Sequence, residues 1–322
     1  MRAAQVTRLD GPDAVEVVDV PAPDVPAGQV LIDVAAAGVS FPDVLLSRGD
    51  YQMKPPPPFI PGAEVAGVVR TAPAGSGLSV GDRVAAFPFL GGFAEQVACD
   101  PSFVFPLPDR VSFEQGAALP MNYLTCYFAL RQRGRLVEGE KVLVHGAAGG
   151  IGTAAVQLAK AWGATVYAVV SDDAKAGVAR EAGADEVVLA EGFKDSIADL
   201  TSGHGVDIVV DPVGGDRFTD SLRSLAPLGR LLVIGFTAGS IPEVKVNRLL
   251  LNNIDVVGVG WGAFWMGRPG FLRKQWDDLV PLLEAGQLDP VIGMVRSLDE
   301  VGAALRDIDE RRATGKILLT ID

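Results

Sequence analysis

The chain has 322 residues, of which 48% are hydrophobic and 21% charged, and its formal net charge is −12. This length exceeds that of a typical single domain and predicts two. The acidic balance, without clustered Lys and Arg, argues against nucleic acid and anionic membranes as partners. The two cysteines, Cys99 and Cys126, are too few for a disulfide framework, and we see neither a signal peptide nor a membrane span. We therefore predict a cytoplasmic protein.

Residues 1–120 contain short apolar runs broken by Gly, Pro and Asp, a texture typical of a β-rich domain. Predicted strands cover 15–20, 30–34, 65–69 and 83–87. Near the other end of the chain, an amphipathic stretch at 276–283 precedes a further helical pattern and an apolar run at 317–321. We expect this tail to return to the first domain, where a strand would complete its sheet. The first domain would then comprise 1–120 and 264–322.

Residues 121–263 alternate between buried-strand and helix patterns, which predicts a doubly wound parallel sheet of the Rossmann type and an α/β fold overall. The last apolar run, at 254–260, would form an exposed edge of that sheet. We expect another part of the protein or a second chain to cover this apolar edge. The six predicted strands are 142–145, 165–170, 186–189, 207–210, 230–234 and 254–259.

The first of these strands runs into a glycine-rich turn, VLVHGAAGGIG, and then into a helical pattern. Free amides and the positive end of a helix dipole at such a turn favour a pyrophosphate. Gly149 and Gly152 fit the second and third positions of the dinucleotide fingerprint, Ala147 takes the first, and Gly150 and Ile151 open the helix. The pattern favours a dinucleotide site, and the alternative is a purely structural turn.

Five motifs in the same order resemble the zinc-independent quinone oxidoreductases of the medium-chain dehydrogenase/reductase superfamily. They are GVSFPDVLLSRGDY (38–51), IPGAEVAGVV (60–69), GDRVAAF (81–87), GAAGGIG (146–152) and RRATGKILL (311–319). The resemblance covers essentially the whole chain. It implies a GroES-like β-rich catalytic domain, an inserted Rossmann domain for the cofactor, and an active site in the cleft between them.

The resemblance also addresses the metal. Where zinc-dependent relatives hold a catalytic zinc with Cys and His, this chain has Ser40 and Ala63, which cannot replace those ligands. Only His145 and His204 occur in the sequence, and we interpret both as structural or incidental. We therefore expect no metal. Without one, the acceptor must already be electrophilic, such as a quinone or an activated alkene (enone or enal).

Three residues are candidates for catalysis by resemblance. Tyr51 occupies the place where related enoyl-thioester reductases carry a proton-donating tyrosine, and its alternative role is to line the pocket. Ser40 and Asp43 belong to an arrangement that reads N-F-x-D in quinone-reducing relatives and Ser-Phe-Pro-Asp here. The serine keeps a hydrogen-bonding group but shortens its reach.

The cofactor predicted by resemblance is NADPH. Ser171 and Lys175 resemble the hydroxyl and lysine that hold its extra phosphate, and Arg312 matches an arginine that reaches the same group in bacterial relatives. Asp172 and Asp173 oppose this assignment unless they cap the next helix. Further contacts expected around the nicotinamide come from Asn122, Thr125, Gly235, Phe236, Val259 and Trp261.

Three functions follow as hypotheses. The first is an NADPH-dependent reductase of a quinone, enone or enal. The second is an enoyl-thioester reductase, and the third is a cofactor-binding protein with little turnover. The resemblance further implies a homodimer paired through the 254–260 edge.

Overall fold

The computed structural model describes residues 1–321, which divide into two compact units. Unit 1 contains residues 1–121, 269–286 and 292–321, and unit 2 contains residues 122–268 and 287–291. No helix in the described part of the chain combines the length and apolar character needed to cross a membrane.

Strands and helices alternate regularly between residues 141 and 258. The strands are β1 (Arg2–Val6), β2 (Val15–Asp19), β3 (Val30–Val39), β4 (Glu64–Thr71), β5 (Arg83–Ala86), β6 (Gln96–Cys99), β7 (Val104–Pro106), β8 (Lys141–His145), β9 (Thr165–Val170), β10 (Glu186–Leu189), β11 (Val206–Asp211), β12 (Leu225–Val233), β13 (Asp255–Gly258), β14 (Ile292–Ser297) and β15 (Lys316–Thr320). The α-helices are α1 (Phe41–Arg48), α2 (Phe113–Ala117), α3 (Pro120–Tyr127), α4 (Gly150–Ala161), α5 (Asp173–Glu181), α6 (Phe193–Leu200), α7 (Phe218–Arg223), α8 (Asn247–Asn252), α9 (Trp261–Trp265), α10 (Phe271–Glu284) and α11 (Val301–Asp309).

Unit 2 is built on a six-stranded parallel sheet with the order β10-β9-β8-β11-β12-β13. The predicted Rossmann-type sheet is confirmed, including the short strand β10. Chain order reverses beside β8, so the carboxyl ends of β8 and its neighbours form the edge where such sheets bind ligands. β13 ends the sheet, and a homodimer paired through this edge stays a prediction.

Unit 1 holds a sheet with the order β14-β15-β3-β4-β5-β7, with β6 also paired to β3, and a separate β1-β2 pair. The C-terminal strand β15 lies antiparallel to β3, so the tail of the chain adds a strand to this sheet. Across this pairing Leu318 faces Gly38, and Gly38 faces Glu64 on β4. Three segments far apart in the sequence therefore meet at the end of β3, beside Ser40.

The predicted end of β3 at residue 34 is wrong, because the strand continues to Val39. Residues 35–39, AAAGV, are almost entirely buried and show no alternation of polar and apolar residues. A strand covered on both faces lacks that signal. β1, β6, β7 and β14 were not predicted, because they are short or carry polar residues within an apolar pattern.

Candidate functional site

The glycine-rich turn in unit 2 joins the carboxyl end of β8 to α4. Gly146 takes a positive φ of 59°, and its carbonyl accepts the Gly149 amide at 2.9 Å. Gly149 is the N-cap of α4 and has no side chain. The amides of the first helical turn therefore receive no hydrogen bond from an N-cap side chain. This is the geometry of an anion site at a helix start.

Backbone atoms close to Gly152 exclude any larger residue there, whereas Gly150 lies against the end of a side chain. A Cβ on Gly152 would lie 2.1 Å from the Gly146 carbonyl oxygen and 2.6 Å from the Cα of Ala147, which is fully buried. A Cβ on Gly150 would lie 2.5 Å from Nδ2 of Asn122. The turn is thus packed tightly against the backbone of α4. Asn122 lies against the start of α4, where its proposed role beside the cofactor would place it.

Four of the remaining candidate cofactor residues follow the carboxyl ends of strands in the same sheet. Ser171 follows β9, Gly235 and Phe236 come two and three residues after β12, and Val259 follows β13. The exposed fraction of Phe236 is 38%, which leaves its ring accessible. Three other candidates lie on helices: Ile151 on α4, Thr125 buried on α3, and Trp261 buried at the start of α9.

The residues proposed to hold the extra phosphate form a local network. The Lys175 ammonium donates to the Ser171 hydroxyl at 3.0 Å, and Ser171 donates to Asp172 at 2.7 Å. Asp172 also accepts the Lys175 backbone N–H at 3.0 Å, so it caps α5. These hydrogen bonds lower the pKa of Asp172 below its ordinary value. The cap assigns Asp172 a structural task, in keeping with the helix-cap interpretation of the sequence.

Arg312 belongs to unit 1 and is paired there. Its guanidinium donates to Oδ1 of Asp307 at 2.8 and 3.0 Å and contacts Glu310. Asp307 also binds Arg296 at 2.6 Å, and the two arginines hold the pKa of Asp307 below its ordinary value against the opposing effect of burial. Arg312 would have to exchange or share these partners to bind a phosphate.

A second set of polar residues is buried in unit 1, where β3, β4 and β15 meet. The Lys316 ammonium donates to Oγ of Ser40 at 2.6 Å and forms an ion pair with Oε1 of Glu64. The Ser40 hydroxyl donates to the same Glu64 oxygen at 2.9 Å, and the Met121 amide donates to Oε2 at 2.8 Å. We call Ser40, Glu64 and Lys316 the buried triad.

The buried triad is almost closed to solvent. Glu64 is fully buried, while 4% of Lys316 and 7% of Ser40 is exposed. Gly38 makes room for it, because a Cβ there would lie 2.7 Å from Cγ of Glu64 and 2.8 Å from Cε of Lys316. The cluster thus contains a cation, an anion and a hydroxyl within hydrogen-bonding distance of one another, in a medium where charge interactions are strong.

Asp43 lies next to the triad and is fully buried. Its carboxylate accepts the Ser40 amide at 2.8 Å and the Gly62 amide at 3.1 Å, which fixes the start of α1 and the turn before β4. Burial raises the pKa of Asp43 to about 7, against the opposing effects of the two amides and Lys316. Burial, and to a lesser degree the charge of Asp43, also raises the pKa of half-buried Tyr51 above its ordinary value.

Asp43→Asn is expected to flatten the dependence of stability on pH. The folded protein keeps the Asp43 proton up to about pH 7, whereas the unfolded chain releases it near pH ~3.9, so stability falls as pH rises between these values. Urea unfolding of both proteins at several pH values across this window measures the slope. An equally steep fall in the variant would show that Asp43 is not its source.

The positions compared above with zinc ligands carry no metal-binding geometry of the ordinary kind. Ala63 offers no donor atom, and Ser40 is engaged by Lys316 and Glu64. Among residues 1–321, no three His, Cys, Asp or Glu side chains form a group that could hold a metal ion.

Comparison with known proteins identifies the family. The model described as "Alcohol dehydrogenase GroES-like domain" matches residues 26–109, and that described as "Zinc-binding dehydrogenase" matches residues 150–285. Quinone oxidoreductase-like protein 2 of Rattus norvegicus is 38% identical over 99% of this chain and 92% of its own length. This chain belongs to the quinone oxidoreductase family.

Solved structures of the family and its relatives share this fold. A probable oxidoreductase from Mycobacterium abscessus matches with a TM-score of 0.92 and 45% identity, covering 100% of this chain and 99% of its own. The quinone oxidoreductase from Thermus thermophilus, also solved in complex with NADPH, matches with a TM-score of 0.87 and 37% identity over 100% of both chains. The GroES-like domain and Rossmann-type sheet predicted for this chain are therefore confirmed.

For this member of the quinone oxidoreductase family, the sequence alone did not identify Glu64 and Lys316 as candidate site residues. Both stand inside motifs that carry the family resemblance, IPGAEVAGVV and RRATGKILL. The available signal was a charged residue directly before a predicted apolar strand, at 65–69 for Glu64 and at 317–321 for Lys316, since buried charges are rare unless paired. The partners are 252 residues apart, so only the fold pairs them.

Proposed function

We propose that the protein is an NADPH-dependent reductase that transfers hydride to a quinone or an activated alkene, an enone or enal, without a metal. The observation that carries this proposal is the tight turn Gly146–Gly152 at the carboxyl edge of the unit 2 sheet. Its uncovered amides and missing side chains fit a pyrophosphate. The name of its rat relative and the NADPH complex of the Thermus thermophilus protein support the same activity.

Preference for NADPH over NADH rests on Ser171 and Lys175. Their side chains are 3.0 Å apart just after β9, at the end of the second strand of the sheet in chain order, where an acidic residue would select NADH. Asp172 is turned to the cap of α5 and its charge is met by Lys175. A phosphate at this point would receive a charge-assisted hydrogen bond from Lys175.

The absence of zinc ligands at positions 40 and 63 limits the acceptor class. Bound NADPH supplies a hydride, and no protein metal polarises the acceptor in this proposal. The acceptor must then bring its own electrophilic centre, as quinones, enones and enals do, and positioning supplies much of the acceleration. Ser40, Asp43 and Tyr51 are the residues proposed to contact or orient it.

The test is NADPH oxidation, followed at 340 nm, with 1,4-benzoquinone, 9,10-phenanthrenequinone, 2-hexenal and crotonyl-CoA, each repeated with NADH. Turnover with the quinones or the enal is the expected result. Turnover with crotonyl-CoA alone would favour an enoyl-thioester reductase. Binding of NADPH without oxidation by any acceptor would contradict the proposal and favour a cofactor-binding role.

A double substitution, Ser171→Ala with Lys175→Ala, is expected to weaken NADPH binding by roughly 10-fold to 100-fold, because it removes a charge-assisted hydrogen bond. NADH binding should change little. Titration calorimetry with both cofactors measures the ratio. The matched control is Lys141→Ala, at the amino end of β8 and hence the opposite edge of the sheet. Equal losses for both cofactors would remove these residues from the phosphate site.

A further inference from the structure

The buried triad consists of Ser40, Glu64 and Lys316, and its geometry points to a proton source. We propose that the Ser40 hydroxyl donates a proton to the oxygen of the acceptor as hydride arrives, and that Lys316, held by Glu64, positions and recharges that hydroxyl. This inference rests on the proposed reductase function. It assigns the proton to Ser40 in place of Tyr51.

Release of the Ser40 hydroxyl proton would not leave the Glu64 carboxylate without donors. In the structure this proton points to Oε1 of Glu64, which also receives the Lys316 ammonium, while Oε2 receives the Met121 amide. Glu64 therefore keeps two donors when the hydroxyl turns away. The Lys316 ammonium also donates to Ser40 Oγ at 2.6 Å, which makes the hydroxyl a better donor.

A purely structural role explains the triad less well. A buried ion pair repays its desolvation poorly, and apolar side chains of similar volume are often as stable. Here the sequence also places glycine at position 38, where a Cβ would collide with both charged side chains. Both members of the ion pair contact Ser40. By resemblance, Ser40 occupies a position where zinc-dependent relatives carry a ligand of the catalytic metal. A hydroxyl supported by a cation at that point suits polarisation of an acceptor oxygen.

The proposed step balances without a further reagent. As hydride adds to the acceptor, electron density moves to its oxygen, which takes the Ser40 proton; the new O–H bond forms while the serine O–H bond breaks. Lys316 passes one N–H proton to Ser40 Oγ and is left as a neutral amine beside Glu64. A proton from solvent then restores the ammonium. One hydride and one proton reach the acceptor.

The charged and titratable groups around Lys316 and Ser40 come from β4, from α1 and from the segment that follows α1. Glu64 on β4 touches Lys316 directly, and Asp43 on α1 interacts electrostatically with both Lys316 and Glu64. Tyr51, after α1, interacts with Asp43. Because Asp43 titrates near neutral pH, a pH profile alone would mix its effect with that of the triad, so the test uses isotope effects and combined variants.

The experiment compares steady-state kinetics of the wild-type protein with those of Ser40→Ala, the double variant Glu64→Gln with Lys316→Met, the variant combining all three, and Tyr51→Phe. Ser40→Ala should lower kcat on the order of 100-fold, the usual size for a general acid. Its solvent deuterium isotope effect should fall to about one, with KM little changed. The Glu64→Gln with Lys316→Met variant removes both charges and so avoids a stranded ion.

The decisive result is the combined variant. If Lys316 acts through Ser40, the combined variant should lose no more activity than Ser40→Ala alone, to within about twofold. If the Glu64–Lys316 pair had only a structural role, its removal would add a further loss of activity to that of Ser40→Ala and would leave the solvent isotope effect unchanged. As a control, Arg306→Met with Asp13→Asn removes an exposed ion pair of the same unit and should leave kcat and the solvent isotope effect as in wild type.

Three outcomes would overturn the proposal. Ser40→Ala could keep its kcat and solvent isotope effect, the losses could multiply in the combined variant, or Tyr51→Phe could produce the loss instead. Each would leave the reductase function standing, because the wild-type protein would still oxidise NADPH. If none of the tested acceptors supports NADPH oxidation by the wild-type protein, both the proposed reductase function and the proton relay would be overturned.

Discussion

Lys316→Met is expected to lower the free energy of unfolding by about 3–5 kcal/mol, since it leaves the fully buried Glu64 carboxylate without its cation. Only the Ser40 hydroxyl and the Met121 amide would remain as donors to it. The loss should be larger than that from any exposed pair in the chain, because exposed pairs contribute about 1 kcal/mol or less.

Chemical denaturation of four proteins measures this coupling: wild type, Lys316→Met, Glu64→Gln and the double variant. The double variant should recover most of the stability lost by Lys316→Met, because no uncompensated charge stays buried. Losses that simply add would contradict the ion-pair explanation. In that case the contribution of Lys316 would come from the packing of its aliphatic chain.

Gly152→Ala is expected to abolish measurable NADPH binding. The new Cβ would lie 2.1 Å from the Gly146 carbonyl oxygen. A rotation of a side chain cannot relieve this clash, because the oxygen belongs to the backbone and the Cβ is attached directly to it. The start of α4 and the turn must therefore move apart. Separation moves the first-turn amides away from the pyrophosphate they would bind. We also expect a loss of stability of about 1–3 kcal/mol, as for other overpacked sites.

A matched control is available on the next helix of the same sheet. Gly177, in α5, has no heavy atom within 4 Å of a built Cβ, so Gly177→Ala should bind NADPH normally and unfold at slightly higher denaturant. Fluorescence titration of NADPH and urea unfolding compare the two variants. Normal cofactor affinity in Gly152→Ala would show that the turn does not hold the dinucleotide as proposed.

The unit 2 sheet could be predicted almost strand by strand, and the reason is physical. Parallel strands under helices are continuous apolar runs, and each is separated from the next by a helical pattern. In unit 1 the same reasoning stopped β3 five residues early, at the buried run AAAGV, and did not identify β14. β14 mixes glycine and arginine with apolar residues on a partly exposed strand.

The candidate site was predicted where its residues are neighbours in the sequence. The turn from Gly146 to Gly152 and the Ser171–Lys175 pair are local, so spacing alone brings each set together. Glu64 and Lys316 are joined only by the pairing of β15 with β3 and of β3 with β4. That pairing cannot be derived from either motif alone, and the role of Lys316 therefore became visible only in the structure.

The position of β15 between β14 and β3 has a consequence for biosynthesis. Residues 122–268 of unit 2 leave the ribosome as one uninterrupted segment and can pack while translation continues. Unit 1 must wait, since the strand that carries Lys316 is made more than 250 residues after Glu64. A polypeptide halted at about residue 310 would hold a nearly finished nucleotide-binding fold beside an open sheet, exposed to chaperones and proteases.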